Sequence, residues 1–112
     1  MSDALARHGD RFAARVFTVA ERAYADGRGN RDEAYAARFA AKEATSKALG
    51  APRGIGWHDV EVIPAVTGER GPTVVLRGRA REVAEQRGVA QVMISITHAG
   101  GVAAAVAIAV GT

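Results

Sequence analysis

Apolar positions recur at helical spacing through the first half of the chain and at strand spacing through most of the second. Between Ser2 and about Ala14, Leu5, Phe12 and Ala13 fall among Arg, His and Asp, the pattern of a short amphipathic helix with a basic exposed side. Thr18 with Glu21 three residues on is a capping box, which predicts a second short helix to about Ala25, broken by Asp26-Gly27-Arg28-Gly29. Asn30 and Glu33 repeat the device and open a long helix from about Arg31 to Leu49, closed by Gly50. After a loop from Pro52 to Gly56, Val60–Ile63 and Thr73–Leu76 read as a hairpin around a Gly68–Pro72 turn. Gly78 to Arg87 is helical, with Ala80, Val83 and Ala84 on one side and Gly88 as the stop. Gln91 to Thr97 alternates, with Val92, Ile94 and Ile96 on one face, and Val102 to Val110 is almost continuously apolar after Gly100-Gly101, which predicts a second, more buried hairpin. The expectation is one domain over residues 1–112, of the α+β class, with helices packed on a small antiparallel sheet.

The long helix carries the first concentration of chemistry. Residues three and four apart share a helix face, so Phe39, Glu43 and Lys47 line up while Arg38, Lys42 and Thr45 form the adjacent stripe. One carboxylate then stands among three cations, an arrangement suited to a divalent metal together with phosphate oxygens. On any exposed helix the same Glu43 and Lys47 form an i,i+4 ion pair worth about 0.3 kcal/mol, so the pattern alone does not separate a ligand face from a solvated one. The strand end Ser95-Ile96-Thr97-His98 is the second concentration, although a His beside two hydroxyls at a strand end is also an ordinary surface residue.

Composition narrows the partners. A formal charge of +3 and a pI near 10.0 favour an acidic partner or a phosphorylated ligand, and Arg7, Arg11 and Arg15 repeat at four-residue spacing as one positive ridge. Nucleic acid is disfavoured because no basic run interleaved with aromatics occurs. No apolar run reaches the roughly 20 residues of a spanning helix, which speaks against a membrane, and the cysteine-free chain is expected in the cytoplasm. With 48% hydrophobic but only 5% aromatic residues, the core is built mainly of Ala, Val, Ile and Leu, and burial against further copies is expected to supplement it.

Taken together and in order, Phe39-Ala40-Ala41-Lys42-Glu43-Ala44 with Ser46-Lys47-Ala48-Leu49-Gly50, then Gly54-Ile55-Gly56-Trp57-His58-Asp59-Val60-Glu61-Val62, then Ser95-Ile96-Thr97-His98, resemble the holo-acyl-carrier-protein synthases of the 4′-phosphopantetheinyl transferase superfamily. Arg11 to Glu21 is similar to the segment that precedes the long helix in that family, so the resemblance covers essentially the whole chain. It implies a homotrimer with active sites between subunits. It also implies the transfer of 4′-phosphopantetheine from coenzyme A to a serine of apo-acyl carrier protein, with Mg²⁺ as cofactor. By the same resemblance, Glu43 is a magnesium ligand that helps deprotonate the serine directly or through metal-bound water. Lys47 stabilises charge on the cleaved pyrophosphate, and Arg38, Lys42 and His98 sit against the coenzyme A phosphates. The positive ridge acquires the acidic acyl carrier protein as its partner.

Members of that family begin with a short apolar strand ending in an Asp that supplies a second magnesium carboxylate, and Asp3 does not match it. Either the strand precedes Met1 in a longer protein or the protein lacks it. In the second case metal binding is weakened and a sheet edge is left uncovered, and residues 1–112 alone are expected to bind Mg²⁺ and coenzyme A poorly in either case. A non-catalytic module that binds coenzyme A or a carrier protein is the alternative function. Whether the carrier serves fatty-acid or polyketide synthesis is not legible in the chain.

Overall fold

The computed structural model describes residues 2–65, 71–99 and 102–111; the side chains of 2–8, 98, 99 and 102 lie outside that description. Four helices and four strands follow in the order α1 (Ser2–Val16), α2 (Val19–Asp26), α3 (Arg31–Ala48), β1 (Val60–Ile63), β2 (Thr73–Leu76), α4 (Gly78–Gln86), β3 (Val89–Ala99) and β4 (Val102–Gly111), with a single 3₁₀ turn at Trp57–Asp59 before β1. The expected turn from Gly68 to Pro72 lies partly outside the described residues, and Gly100-Gly101 lies wholly outside them.

Local chemistry sets most of these boundaries. Thr18 accepts from the Glu21 amide at 3.2 Å while the Glu21 carboxylate accepts from the Thr18 amide at 2.8 Å, so the capping box is formed from both sides. Asn30 caps α3 through the Glu33 amide at 3.3 Å. Gly50, at φ +90°, carries the chain out of α3 in the left-handed region. Gly9, at φ +53° and ψ −133°, is not helical and kinks α1 in its middle. The four-residue ridge is therefore interrupted: Arg11 and Arg15 keep their spacing beyond the kink, whereas Arg7 belongs to the turn before it.

Among the described residues pairing is antiparallel in two two-stranded ladders, β1 with β2 and β3 with β4, the two hairpins expected, and the helices pack on them in the α+β manner. Two apolar clusters fill the interior. Ala13, Val16, Phe17, Ala25 and Tyr35 form one beneath α1 and α2, where the Phe17 and Tyr35 rings meet edge to face at 4.8 Å. Leu49, Val60, Ala80, Val83, Ala84 and Val92 form the other, between α4 and the strands. Helix α3 contributes Tyr35 to the first and Leu49 to the second, so it is the spine that joins them.

The β3–β4 hairpin is not the more buried of the two. Three of the four β1 residues are buried, whereas β4 alternates between half-buried Ala103, Ala105 and Ala107 and exposed Ala104, Val106 and Ile108. The inward positions of β4 are small because α3 packs closely on that strand, and its bulkier residues are left facing out. Among the described residues, no helix is long and apolar enough to cross a membrane.

Candidate functional site

The middle of α3 presents two stripes with opposite fates. Tyr35, Arg38, Lys42, Thr45 and Leu49 follow one another at helical three- and four-residue steps, and all five are buried. The stripe expected beside Glu43 as part of a basic face is thus the inward one. Glu43 is half-buried and Lys47 exposed, on the other side of the helix.

Lys42 shows what the inward stripe does. Its side chain is 1% exposed, and its ammonium lies 2.8 Å from Glu21 Oε1. It donates to the Trp57 carbonyl at 2.9 Å and to the Val60 carbonyl. Three protons thus meet three oxygens, and none is left for a phosphate. Burial pulls the Lys42 ammonium below the ordinary lysine range, opposed by its bond to Glu21. The Glu21 carboxylate is equally committed, accepting from the Thr18 amide and, through Oε2, from the Val62 amide at 2.8 Å. Beside it, Glu61 accepts from the Thr18 hydroxyl at 2.6 Å and from Arg77 at 2.7 Å, and these bonds, the hydroxyl first, hold its carboxyl below the usual range.

Glu43 and Lys47 line a cavity of about 260 Å³ with Ser46, Ile55, Trp57 and Val60, and Lys42 lines it too although its ammonium is held by Glu21 and the two carbonyls. No ion pair joins the two, contrary to the expectation for an i,i+4 pair on an exposed helix, and among the described residues neither makes a hydrogen bond. A carboxylate and an ammonium therefore line one space, without a side-chain partner among the described residues. Trp57 stacks on Phe39 with ring centroids 5.1 Å apart and planes at 27°, forming an apolar wall beside them.

Arg38 lines a different cavity, of about 310 Å³, together with Tyr24, Arg28 and Asn30. Its guanidinium lies over the Tyr24 ring at 4.1 Å and donates to the Ala34 carbonyl at 3.2 Å, while its Nε is buried without a partner among the described residues. Arg28 also lies over Tyr24, at 5.4 Å. His98 falls at the end of β3, and its side chain is outside the described residues, as is that of Arg7. The structure thus brings Glu43, Ser46 and Lys47 to one cavity, sets Arg38 with Arg28 and Tyr24 at another, and gives Glu21, legible in the sequence only as a cap, an ion-pair role. A buried acid in a capping box, opposite a lysine at an apolar helix position, is the signal that identifies that pair.

For a divalent cation, the described residues offer one carboxylate at the first cavity, Glu43. One carboxylate completed by water and substrate phosphates is a usual way of holding Mg²⁺, so the donor fits that ion.

The family model of the 4′-phosphopantetheinyl transferase superfamily matches residues 1–107. Over 106 residues the chain is 53% identical to a holo-[acyl-carrier-protein] synthase of Anaeromyxobacter dehalogenans, which covers 92% of this chain and 78% of that one. Among solved structures, the holo-[acyl-carrier-protein] synthase of Neisseria meningitidis is similar with a TM-score of 0.83 at 27% identity, over 96% of this chain and 86% of the other. The Helicobacter pylori holo-[acyl-carrier-protein] synthase in complex with coenzyme A is similar in fold, with a TM-score of 0.79 at 23% identity over 97% and 90% of the two chains.

Proposed function

The chain belongs to the 4′-phosphopantetheinyl transferase superfamily, and from that premise we propose that it moves 4′-phosphopantetheine from coenzyme A to a serine hydroxyl of apo-acyl carrier protein in an Mg²⁺-dependent reaction. It is an enzyme of the holo-[acyl-carrier-protein] synthase type. The observation that carries the site reading is the uncommitted pair, Glu43 and Lys47, on the wall of one cavity. Phosphoryl transfer depends on positioning and on neutralising charge at the moving phosphoryl group, and these two side chains are free for that work.

In this reading Glu43 holds the metal, which supplies charge neutralisation at the pyrophosphate when bound. Lys47 faces the same phosphates, and Arg38, in its separate cavity, faces a more distant phosphate of coenzyme A, with His98 contributing from the end of β3. Lys42 is withdrawn from this set because its ammonium is spent inside the protein. Arg11 and Arg15, exposed on α1 beyond the kink, are the positive surface for an acidic carrier. The outward face of the β3–β4 hairpin, where Met93 pairs with Ile108 and both are more than half exposed, supports assembly into a homotrimer with sites between subunits. The cysteine-free chain suits the cytoplasm.

The test is incubation with apo-carrier protein, coenzyme A and Mg²⁺, followed by mass spectrometry of the carrier. The expected result is a mass gain of one phosphopantetheine, reduced about a hundredfold or more in Glu43→Gln at unchanged thermal stability. Turnover at the wild-type rate in Glu43→Gln sinks the assignment. Among the described residues Glu43 is the one carboxylate lining the cavity, which favours as a second reading a module that binds coenzyme A or a carrier without transfer. Binding with no mass gain identifies that module.

A further inference from the structure

Lys42 sits one residue before Glu43 on α3, yet its ammonium points the other way, into a set of oxygens drawn from three parts of the chain. Two of them are the carbonyls of Trp57 and Val60, at the start of the 3₁₀ turn and the start of β1. The third is Glu21 Oε1 on α2, whose other oxygen accepts from the Val62 amide two residues further along β1. A single cation therefore ties α3 to both ends of the turn that carries Trp57, and its own counter-ion ties α2 to the strand that follows.

The cavity has that turn as one wall and the Glu43–Lys47 face of α3 as another. The distance between the walls is set where the two are joined, and the polar joint is Lys42. A backbone carbonyl that loses its buried donor moves to find another, so loss of the ammonium would free the wall to shift. The Phe39–Trp57 stack is the apolar half of the same joint.

We propose that Lys42 is a positioning residue, clamping the Trp57–Val60 turn to α3 so that the Trp57 wall stands at a fixed separation from Glu43 and Lys47. The transfer half of this proposal rests on the function assigned above; the clamp itself does not. Trp57 is the chain's one tryptophan, so its emission reports the wall directly and without substrate.

The experiment compares the full chain with Lys42→Met, which keeps the stem and removes the charge, at a temperature well below the melting point of each. Acrylamide quenching of Trp57 and steady-state transfer kinetics are both measured. Expected in Lys42→Met are a rise of about twofold in the quenching constant and a fall of about ten- to a hundredfold in kcat, with the KM for coenzyme A changed less than about threefold, as for reacting groups held about 1 Å out of place. Either quenching or kcat remaining at the wild-type value overturns the proposal. So does a tenfold rise in KM with quenching unchanged, which would make Lys42 a phosphate-binding group. Should Lys42→Met fail to fold because Glu21 is left as a buried unpaired charge, the Glu21→Gln/Lys42→Met double variant is judged by the same criteria. A wild-type protein that transfers nothing overturns the transferase reading, and quenching alone then decides the clamp.

Discussion

Replacing Gly50 by Ala isolates how the end of the spine helix is locked. Gly50 has φ +90°, and a Cβ there would stand 1.9 Å from Arg87 Nη1. That nitrogen donates to the Leu49 carbonyl at 2.6 Å, so the Arg87 side chain occupies the space over Gly50 in order to cap α3. Two costs follow from the substitution. The left-handed conformation costs a side chain about 1 kcal/mol. The clash itself is relieved by swinging the flexible guanidinium aside, and the cost of that is the hydrogen bond it made, about 1 to 2 kcal/mol because the carbonyl belongs to a residue only 1% exposed. Gly88 is the control, since at φ +69° it has nothing within 4 Å of its added Cβ and therefore carries the conformational cost alone. Urea and thermal unfolding should show Gly50→Ala destabilised by about 2 to 3 kcal/mol, a fall of roughly 10 °C in Tm, against about 1 kcal/mol and 4 °C for Gly88→Ala. In an Arg87→Ala background the excess at Gly50 should vanish. Equal losses at the two glycines, or an excess that persists without Arg87, would refute the lock.

Tyr35 is fully buried and donates to Asp26 at 2.9 Å, and burial followed by that bond pushes its hydroxyl up to about 12 from an ordinary 10.0. Because the folded state keeps a proton that the unfolded state releases, stability from this group is complete below pH 10.0 and lost as pH rises towards about 12, by about 2.7 kcal/mol at most. Lys42, pulled down by burial, titrates in the opposite sense over the alkaline range, so the comparison is between wild type and Tyr35→Phe, which share it: the variant should lose less stability between pH 9 and 11 in urea titrations, and parallel slopes would refute the assignment. On the exposed hairpin face, Ile108→Asp should convert a trimer to monomers in sedimentation velocity, with helix content unchanged; a wild-type protein that sediments as a monomer at tens of micromolar would end the trimer reading.

The elements most legible in the sequence are those whose causes are local. The capping box at Thr18 and Glu21, the stop at Gly50 and the Ala80, Val83 and Ala84 stripe of α4 each depend on residues within one or two turns. The inward course of the Lys42 ammonium was not legible because its partners, Glu21, Trp57 and Val60, are 21, 15 and 18 positions away. The clue lay in spacing: Tyr35, Arg38, Lys42, Thr45 and Leu49 trace an apolar stripe with polar residues at its middle positions. The run from Val102 to Val110 misled for a related reason. Hydrophobicity alone suggested burial on both faces, whereas the alternation of small with branched residues marks which face α3 approaches closely. Gly9 broke the arginine ridge through backbone conformation, which charge spacing does not reveal.

The Glu21–Lys42 pair bears on what the fold is arranged to protect. A buried ion pair recovers little net stability over an apolar pair of the same shape, since desolvation cancels most of its Coulombic gain. Leucine or methionine at both positions would avoid that desolvation. What apolar residues cannot supply is a donor for the Trp57 and Val60 carbonyls and an acceptor for the Val62 amide, three backbone groups on one short segment. β1 is paired with β2 along one edge, and among the described residues no strand lies along its other edge, so side chains from α2 and α3 stand in there for a neighbouring strand. Two lysines line the Glu43 cavity, Lys42 and Lys47, but the Lys42 ammonium is held by Glu21 and the Trp57 and Val60 carbonyls, which leaves that of Lys47, among the described residues, without a partner. The proposed wall and the division of labour between the two lysines both depend on the Lys42 ammonium staying with Glu21 and the Trp57 and Val60 carbonyls.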